Sequence, residues 1–89
     1  MGLEFPNRNR SFDAKKCRIR FWGYDSAIEI TFIVEGDALK KLSPELKDTE
    51  PEFLQAFDAS RGRIHEVAAK VYKAGGGGSY TFVLTEKDF

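Results

Sequence analysis

The chain has 89 residues, with 14 Lys and Arg against 14 Asp and Glu, a single Cys and 42% hydrophobic content. That is enough for one domain, residues 1–89, and a chain so short buries only about 60–65% of the surface its unfolded form exposes. Most of its apolar side chains are therefore committed to the core, which argues against an elaborate catalytic site. Zero formal charge gives no overall basicity to attract nucleic acid or an anionic membrane.

In chain order, Leu3–Phe5 and a short segment around Phe12 can add a sheet edge, with the turn residues Pro6–Asn9 between them. The next two runs predict a β-hairpin over about 17–34. Cys17, Ile19 and Phe21 alternate with Arg18, Arg20 and Trp22, and Ile28, Ile30, Phe32 and Val34 alternate with Glu29, Thr31, Ile33 and Glu35. Gly23–Ser26 has turn chemistry. A loop at Tyr24–Asp25 sets Phe21 opposite Ile28, Ile19 opposite Ile30, Cys17 opposite Phe32 and Arg20 opposite Glu29. A slip by one pair of residues leaves the inward set inward, so the faces are better specified than the partners.

A short helix over about 38–43 follows, with Asp37 as its cap and Pro44 as its stop. Thr49 and Glu52 have capping-box spacing, and Pro51 suits a first helical turn. Phe53, Phe57, Ile64, Val67, Ala68 and Val71 then recur at helical spacing, predicting one long helix over about 50–73 whose apolar stripe packs on the hairpin. Gly62 is a weak spot on its far side. The run Gly75–Gly78 ends the helix as a flexible loop, and Tyr80, Phe82 and Leu84 alternate through a last strand over about 80–85. The fold class is α+β, an antiparallel sheet of three to five strands with two helices on one face.

The stretches 3–39, 54–72 and 80–89 resemble the small bacterial family catalogued as domain of unknown function 1488. The residues that carry the resemblance are the aromatic strand end Phe21–Gly23, the helix start Ala38–Leu39, Arg61 with Ile64, and Asp88–Phe89. The resemblance implies a compact α+β fold in the bacterial cytoplasm and no established activity.

Two groups of residues are candidates for function. On the outer face of the hairpin, Arg18, Arg20, Trp22 and Tyr24 point the same way, and Ile33 adds apolar area. An exposed Trp/Tyr/Arg patch suits a protein contact, with a second copy or another protein. Arginine beside aromatics also suits phosphate contact and base stacking, so binding of nucleic acid or an anion is the alternative. An ordinary solvated face, with Arg20 neutralised by Glu29, is the plainest reading. On the long helix, Asp58, Arg61 and His65 share one flank at i, i+3 and i+4 spacings. They read either as a small anion or acid–base site or, more simply, as a helix-to-sheet clamp beside a boundary histidine.

Other signals point away from chemistry. Cys17 is expected inside, as a small core residue. One Cys and one His do not make a metal set, and no cofactor is expected. Gly75–Gly78 lacks the Lys-Ser/Thr of a phosphate-binding loop and follows a helix instead of opening one. One Cys cannot form an internal disulfide, and the first twenty residues hold six basic residues and no long apolar run. A reducing, cytoplasmic location without signal peptide or membrane span is the expectation. The neutral total conceals segregation: +4 over residues 1–20, −6 over 21–60 and +2 over 61–89. Such a pattern favours charge satisfied within or between protein chains. The sequence reading is a non-enzymatic interaction or regulatory module acting through its hairpin face.

Overall fold

The computed structural model describes residues 3–6, 9–75 and 80–89. Its elements run β1 (Leu3–Glu4), β2 (Arg10–Asp13), β3 (Arg18–Asp25), β4 (Ile28–Glu35), α1 (Gly36–Leu42), α2 (Glu50–Ala59), α3 (Arg61–Ala74), β5 (Thr81–Leu84) and a closing 3₁₀ turn, Glu86–Asp88. The five strands form one sheet beneath three helices, an α+β fold with a mostly antiparallel sheet, as expected. β5 differs in direction, pairing parallel to β4. The connection from β4 to β5 passes through all three helices, and a crossover of that length is what brings a following strand back in the same direction.

β3 and β4 are the spine of the sheet, paired from Arg18↔Glu35 to Asp25↔Ile28. The turn between them is Ser26–Ala27, not Tyr24–Asp25, because Ser26 takes the positive φ of 59° that a two-residue hairpin loop requires. The partners therefore differ from the expected ones: Phe21 lies opposite Phe32, Ile19 opposite Val34, and Arg20 opposite Ile33. The displacement is an even number of residues, so the faces hold. Ile19, Phe21, Ile30, Phe32 and Val34 are all buried.

Cys17 corrects its expectation. It is exposed and belongs to the β2–β3 turn, where it takes φ 48°. The Asp13↔Arg18 pairing leaves residues 14–17 to turn the chain, so the alternating pattern begins one residue later than the sequence suggests. The Asp13 carboxylate holds that turn by accepting from the amides of Lys15 (3.1 Å) and Lys16 (3.4 Å).

The expected single helix is two helices, α2 and α3, joined at Ser60 (φ −109°, ψ 16°). The ladder bends without dissolving: the Ser60 amide donates to Ala56 (3.1 Å) and Phe57 (3.2 Å), and the Ile64 amide donates to Ser60 (2.9 Å). A straight helix over 50–73 would be about 36 Å long, whereas four strand positions at about 4.8 Å span less than 20 Å. Bending at the Ser60/Gly62 step lets α2 cover β2 and β3 while α3 covers β5. The stripe predicted from spacing is real: Phe53, Phe57, Ile64, Val67 and Ala68 are buried and Val71 is half-buried.

Two caps are corrected as well. Glu35 is the N-cap of α1, with Asp37 inside the first turn, and Thr49 caps α2 by position without a side-chain hydrogen bond. The side-chain capping box is instead in the closing turn, between Thr85 and Asp88. Of the glycine run, Gly75 ends α3 and the rest lies outside the described residues.

The core joins the inner faces of β3, β4 and β5 to Leu39, Phe53, Phe57, Ile64 and Ala68. Phe21 stacks on Phe32 at 5.4 Å and meets Phe57 at 5.2 Å. Gly23 falls within β3, opposite Ile30, and the Phe5 ring occupies the inner side where a side chain would stand. At the other end of the molecule, the Lys41 ammonium donates to the carbonyls of Glu86 (3.1 Å) and Phe89 (2.6 Å), anchoring the last turn to α1.

Candidate functional site

Directly paired residues of neighbouring strands share a face, so the registers define the outer surface in four rows. Glu4, Tyr24 and Glu29 form the first, Trp22, Thr31 and Thr81 the second, Ser11, Arg20, Ile33 and Val83 the third, and Asp13, Arg18 and Glu35 the fourth. The structure brings all five predicted residues, Arg18, Arg20, Trp22, Tyr24 and Ile33, to this face. The helices pack on the opposite one.

The character of each residue is different from what alternation alone suggests. Ile33 is 7% exposed and contributes little open surface. It lies between Arg20 and Val83 in register, and the stem of an arginine covers apolar neighbours readily. Val83, 42% exposed, is an aliphatic residue of this face that opens to solvent, a position missed in the sequence because β5 had no assigned neighbour. Trp22 is half-buried. The Tyr24 hydroxyl donates to Glu29 at 2.9 Å, so the expected Arg20–Glu29 pairing is replaced by a Tyr24–Glu29 one. Arg18 is held by Asp13 at 3.4 Å and faces Glu35 on its other side. Burial would push the Asp13 carboxyl up, but the Lys16 and Lys15 amides and the charge of Arg18 outweigh it, leaving its pKa below the ordinary carboxylate value. Arg20 is exposed and forms no ion pair with a described residue.

The second group also assembles, but as a tie between elements. Asp58 accepts from Arg61 at 2.6 Å and from Arg10 of β2 at 2.9 Å, so one carboxylate joins α2, α3 and the sheet edge. The Arg61 side chain is only 11% exposed and lies over the Phe57 ring, 4.8 Å from its centre. His65 stacks flat on Phe5 at 3.9 Å and approaches Phe21 at 5.8 Å. Arg10 was invisible as a member because its place depends on the β2–β3 register. Tyr72, further along α3, turns away from the cluster and donates to Asp25 at 2.5 Å, closing the helix onto the end of β3. That hydrogen bond, burial and the Asp25 charge raise the Tyr72 pKa above its usual value.

Three cavities are lined by described residues. One of about 420 Å³ lies between the α1–α2 connection and α2, against Pro44, Leu46, Glu52 and Gln55. One of about 660 Å³ is an open depression along α1 and the closing turn, and one of about 350 Å³ lies beside Cys17, Glu35 and Lys40. Arg61 and His65 line none of these three. Lys40, which reaches the last of them, is held by Asp48 at 2.7 Å, and that hydrogen bond and charge raise its pKa. Among the described residues no group of three or more His, Cys, Asp or Glu is placed to hold a metal ion. No helix among them is long and apolar enough to cross a membrane.

The protein is thus a small α+β domain with an outer sheet face that the helices leave uncovered and an ion-pair tie at Asp58 that joins α2, α3 and the sheet edge. Residues 3–84 match the family model described as "Protein of unknown function (DUF1488)", and the chain belongs to that family. Comparison with curated proteins and with solved structures finds no significant match.

Proposed function

We propose that the domain acts without catalysis, as a protein-interaction or regulatory module of the cytoplasm, through the outer face of β3, β4 and β5. The observation that carries this reading is the composition of the two middle rows. Trp22 and Val83 leave apolar surface beside Arg20, a cation with no ion pair to a described residue. Aromatic and arginine side chains on a rigid, uncovered surface are the residues that dominate binding at protein interfaces. The Asp58–Arg61–His65 group supports a structural role, because each member is engaged by the fold: Asp58 by two guanidiniums, Arg61 by Phe57, and His65 by Phe5.

The alternative of nucleic-acid or anion binding through Arg18, Arg20 and Trp22 is weakened by the two outer rows. Arg18 and Arg20 share the face with Glu4, Asp13, Glu29 and Glu35, so it carries more negative than positive charge. Binding of a polyanion rests on unneutralised cations. Titration with single-stranded oligonucleotides at low salt should give no binding.

The test of the main reading is affinity purification of the tagged chain from the cells that make it, with wild type compared against Trp22→Ala and Arg20→Glu. Proteins that accompany the wild type, its own chain included, should be lost from both variants while both keep the wild-type circular dichroism. An unchanged set of associated proteins in both variants would overturn it.

A further inference from the structure

We infer that the partner at this face is a second copy of the chain, docked face to face with its strands running in the opposite direction. The inference rests on the reading of the face as an interaction surface and goes on to specify its occupant. The argument is one of charge complementarity. Along the strands, the first row presents Glu4 and Glu29, the second Trp22 with Thr31 and Thr81 in succession on one side of it, and the third Arg20 with Ile33 and Val83. Acid, aromatic and base thus succeed one another along one direction of a single surface. A two-fold axis in the plane of the interface, across the strands at the Trp22 row, lays each row onto its opposite.

Under that operation Trp22 meets Trp22 of the second copy. The row of Arg20 lies on the row that contains the second copy's Tyr24 and Glu29, and the reciprocal contact forms on the other side of the axis. Arg20 then gains a carboxylate and the face of a tyrosine ring, the two groups that best receive a guanidinium. The fourth row needs nothing from a partner, since Asp13 already holds Arg18 at 3.4 Å. A C2 contact requires a self-complementary surface, and this arrangement of rows is self-complementary.

The size of the face sets the strength. Strands about 4.8 Å apart and rows about 6.8 Å apart give the three overlapping rows roughly 330 Å² on each copy, or about 650 Å² for the pair. That is below the usual size of specific interfaces, so the dimer should be weak and reversible, with a dissociation constant well above the micromolar range.

Sedimentation equilibrium of the full chain up to about 1 mM tests the inference. The expected result is a monomer–dimer equilibrium that Trp22→Ala, Arg20→Glu and Glu29→Arg each weaken at least tenfold, with folding checked by circular dichroism. An equimolar mixture of Arg20→Glu and Glu29→Arg chains should then dimerise again. In that mixed dimer each altered residue meets the opposite charge, and the unaltered pair on the other side of the axis is intact. A wild type that stays monomeric at the highest concentration overturns the inference, and so does a dimer that the substitutions leave unweakened or the mixture fails to restore. If a monomeric wild type still captures a different protein that Trp22→Ala releases, the inference fails while the interaction reading stands. If neither association is seen, both fail.

Discussion

At Gly23 an added Cβ would stand 2.8 Å from the Phe5 ring and 3.0 Å from the Leu3 side chain. At Gly36 it would stand 2.5 Å from the backbone carbonyl of Cys17, and at Gly62 nothing lies within 4 Å. The three positions should therefore rank differently under substitution by alanine. Gly23→Ala pushes on a ring that can move, at the expense of its stack on His65, and should cost about 1–3 kcal/mol. Gly36→Ala meets a main-chain atom fixed by the β2–β3 turn and should cost more than Gly23→Ala. Gly62→Ala should stabilise by about 0.5 kcal/mol, because it restricts the unfolded chain in the first turn of α3 and touches nothing. Urea unfolding of the three variants gives the order directly, and equal midpoints for Gly23→Ala and Gly62→Ala would contradict it. Phe5→Ala should also absorb much of the cost of Gly23→Ala, so the double variant should be less than additive. In the sequence Gly23 reads as a turn residue; its use as a seat for Phe5 depends on a strand pairing across twenty residues that local pattern does not encode.

Among the elements, what was legible followed from period, and what was not followed from where a period starts, stops or bends. Alternation correctly assigned the two faces of β3 and β4, because an even slip in register leaves every side chain on its own side. It could not locate the Ser26–Ala27 turn, since Gly23, Asp25 and Ser26 all have turn chemistry, nor could it see that Cys17 precedes the strand. The helical stripe was correct through both α2 and α3, yet a bend at Ser60 preserves the stripe and so leaves no mark on spacing. The joins between elements have their own pH signatures. Asp13 binds its proton less readily in the folded β2–β3 turn than in the unfolded chain. Its contribution is therefore present above the usual carboxylate range near 4 and disappears as pH falls through the lower, folded value. Tyr72 behaves in the opposite sense, since its raised pKa means that the folded state favours the protonated phenol. Its contribution is present below about pH 10 and disappears as pH rises through the raised value. Asp13→Asn should flatten the acid limb of a plot of unfolding midpoint against pH and leave the alkaline limb unchanged, and Tyr72→Phe should do the reverse. Parallel curves for wild type and variant across the relevant limb would refute either assignment.

For the whole molecule, the separation of charge along the chain resolves into few long-range ties. Arg10–Asp58 connects the basic first quarter to the acidic middle, whereas Arg18–Asp13, Lys40–Asp48 and Arg63–Glu66 each join residues of one segment. The sequence suggested that its opposite charges answer each other, and much of that answering is local, which leaves Arg20 on one row of the sheet and Glu4 with Glu29 two rows away. Folding and association should consequently respond to salt in different ways. The ion pairs that hold the fold are at least partly exposed, and such pairs contribute about 0–1 kcal/mol each. Raising salt from about 0.05 M to 1 M, where the Debye length falls from beyond 10 Å to about 3 Å, should move the chloride-salt unfolding midpoint little. The proposed dimer is different, because Arg20 against Glu29 would be counted twice across its axis. Its dissociation constant should rise several-fold over the same range and then level off, since contact between the two Trp22 side chains is not screened. The Arg20→Glu chain, whose like charges meet, should associate better as salt rises. Sedimentation at three salt concentrations separates these cases. A wild-type dimer insensitive to salt would remove the Arg20–Glu29 contact from the account, and a dimer abolished at 1 M would remove the tryptophan contact.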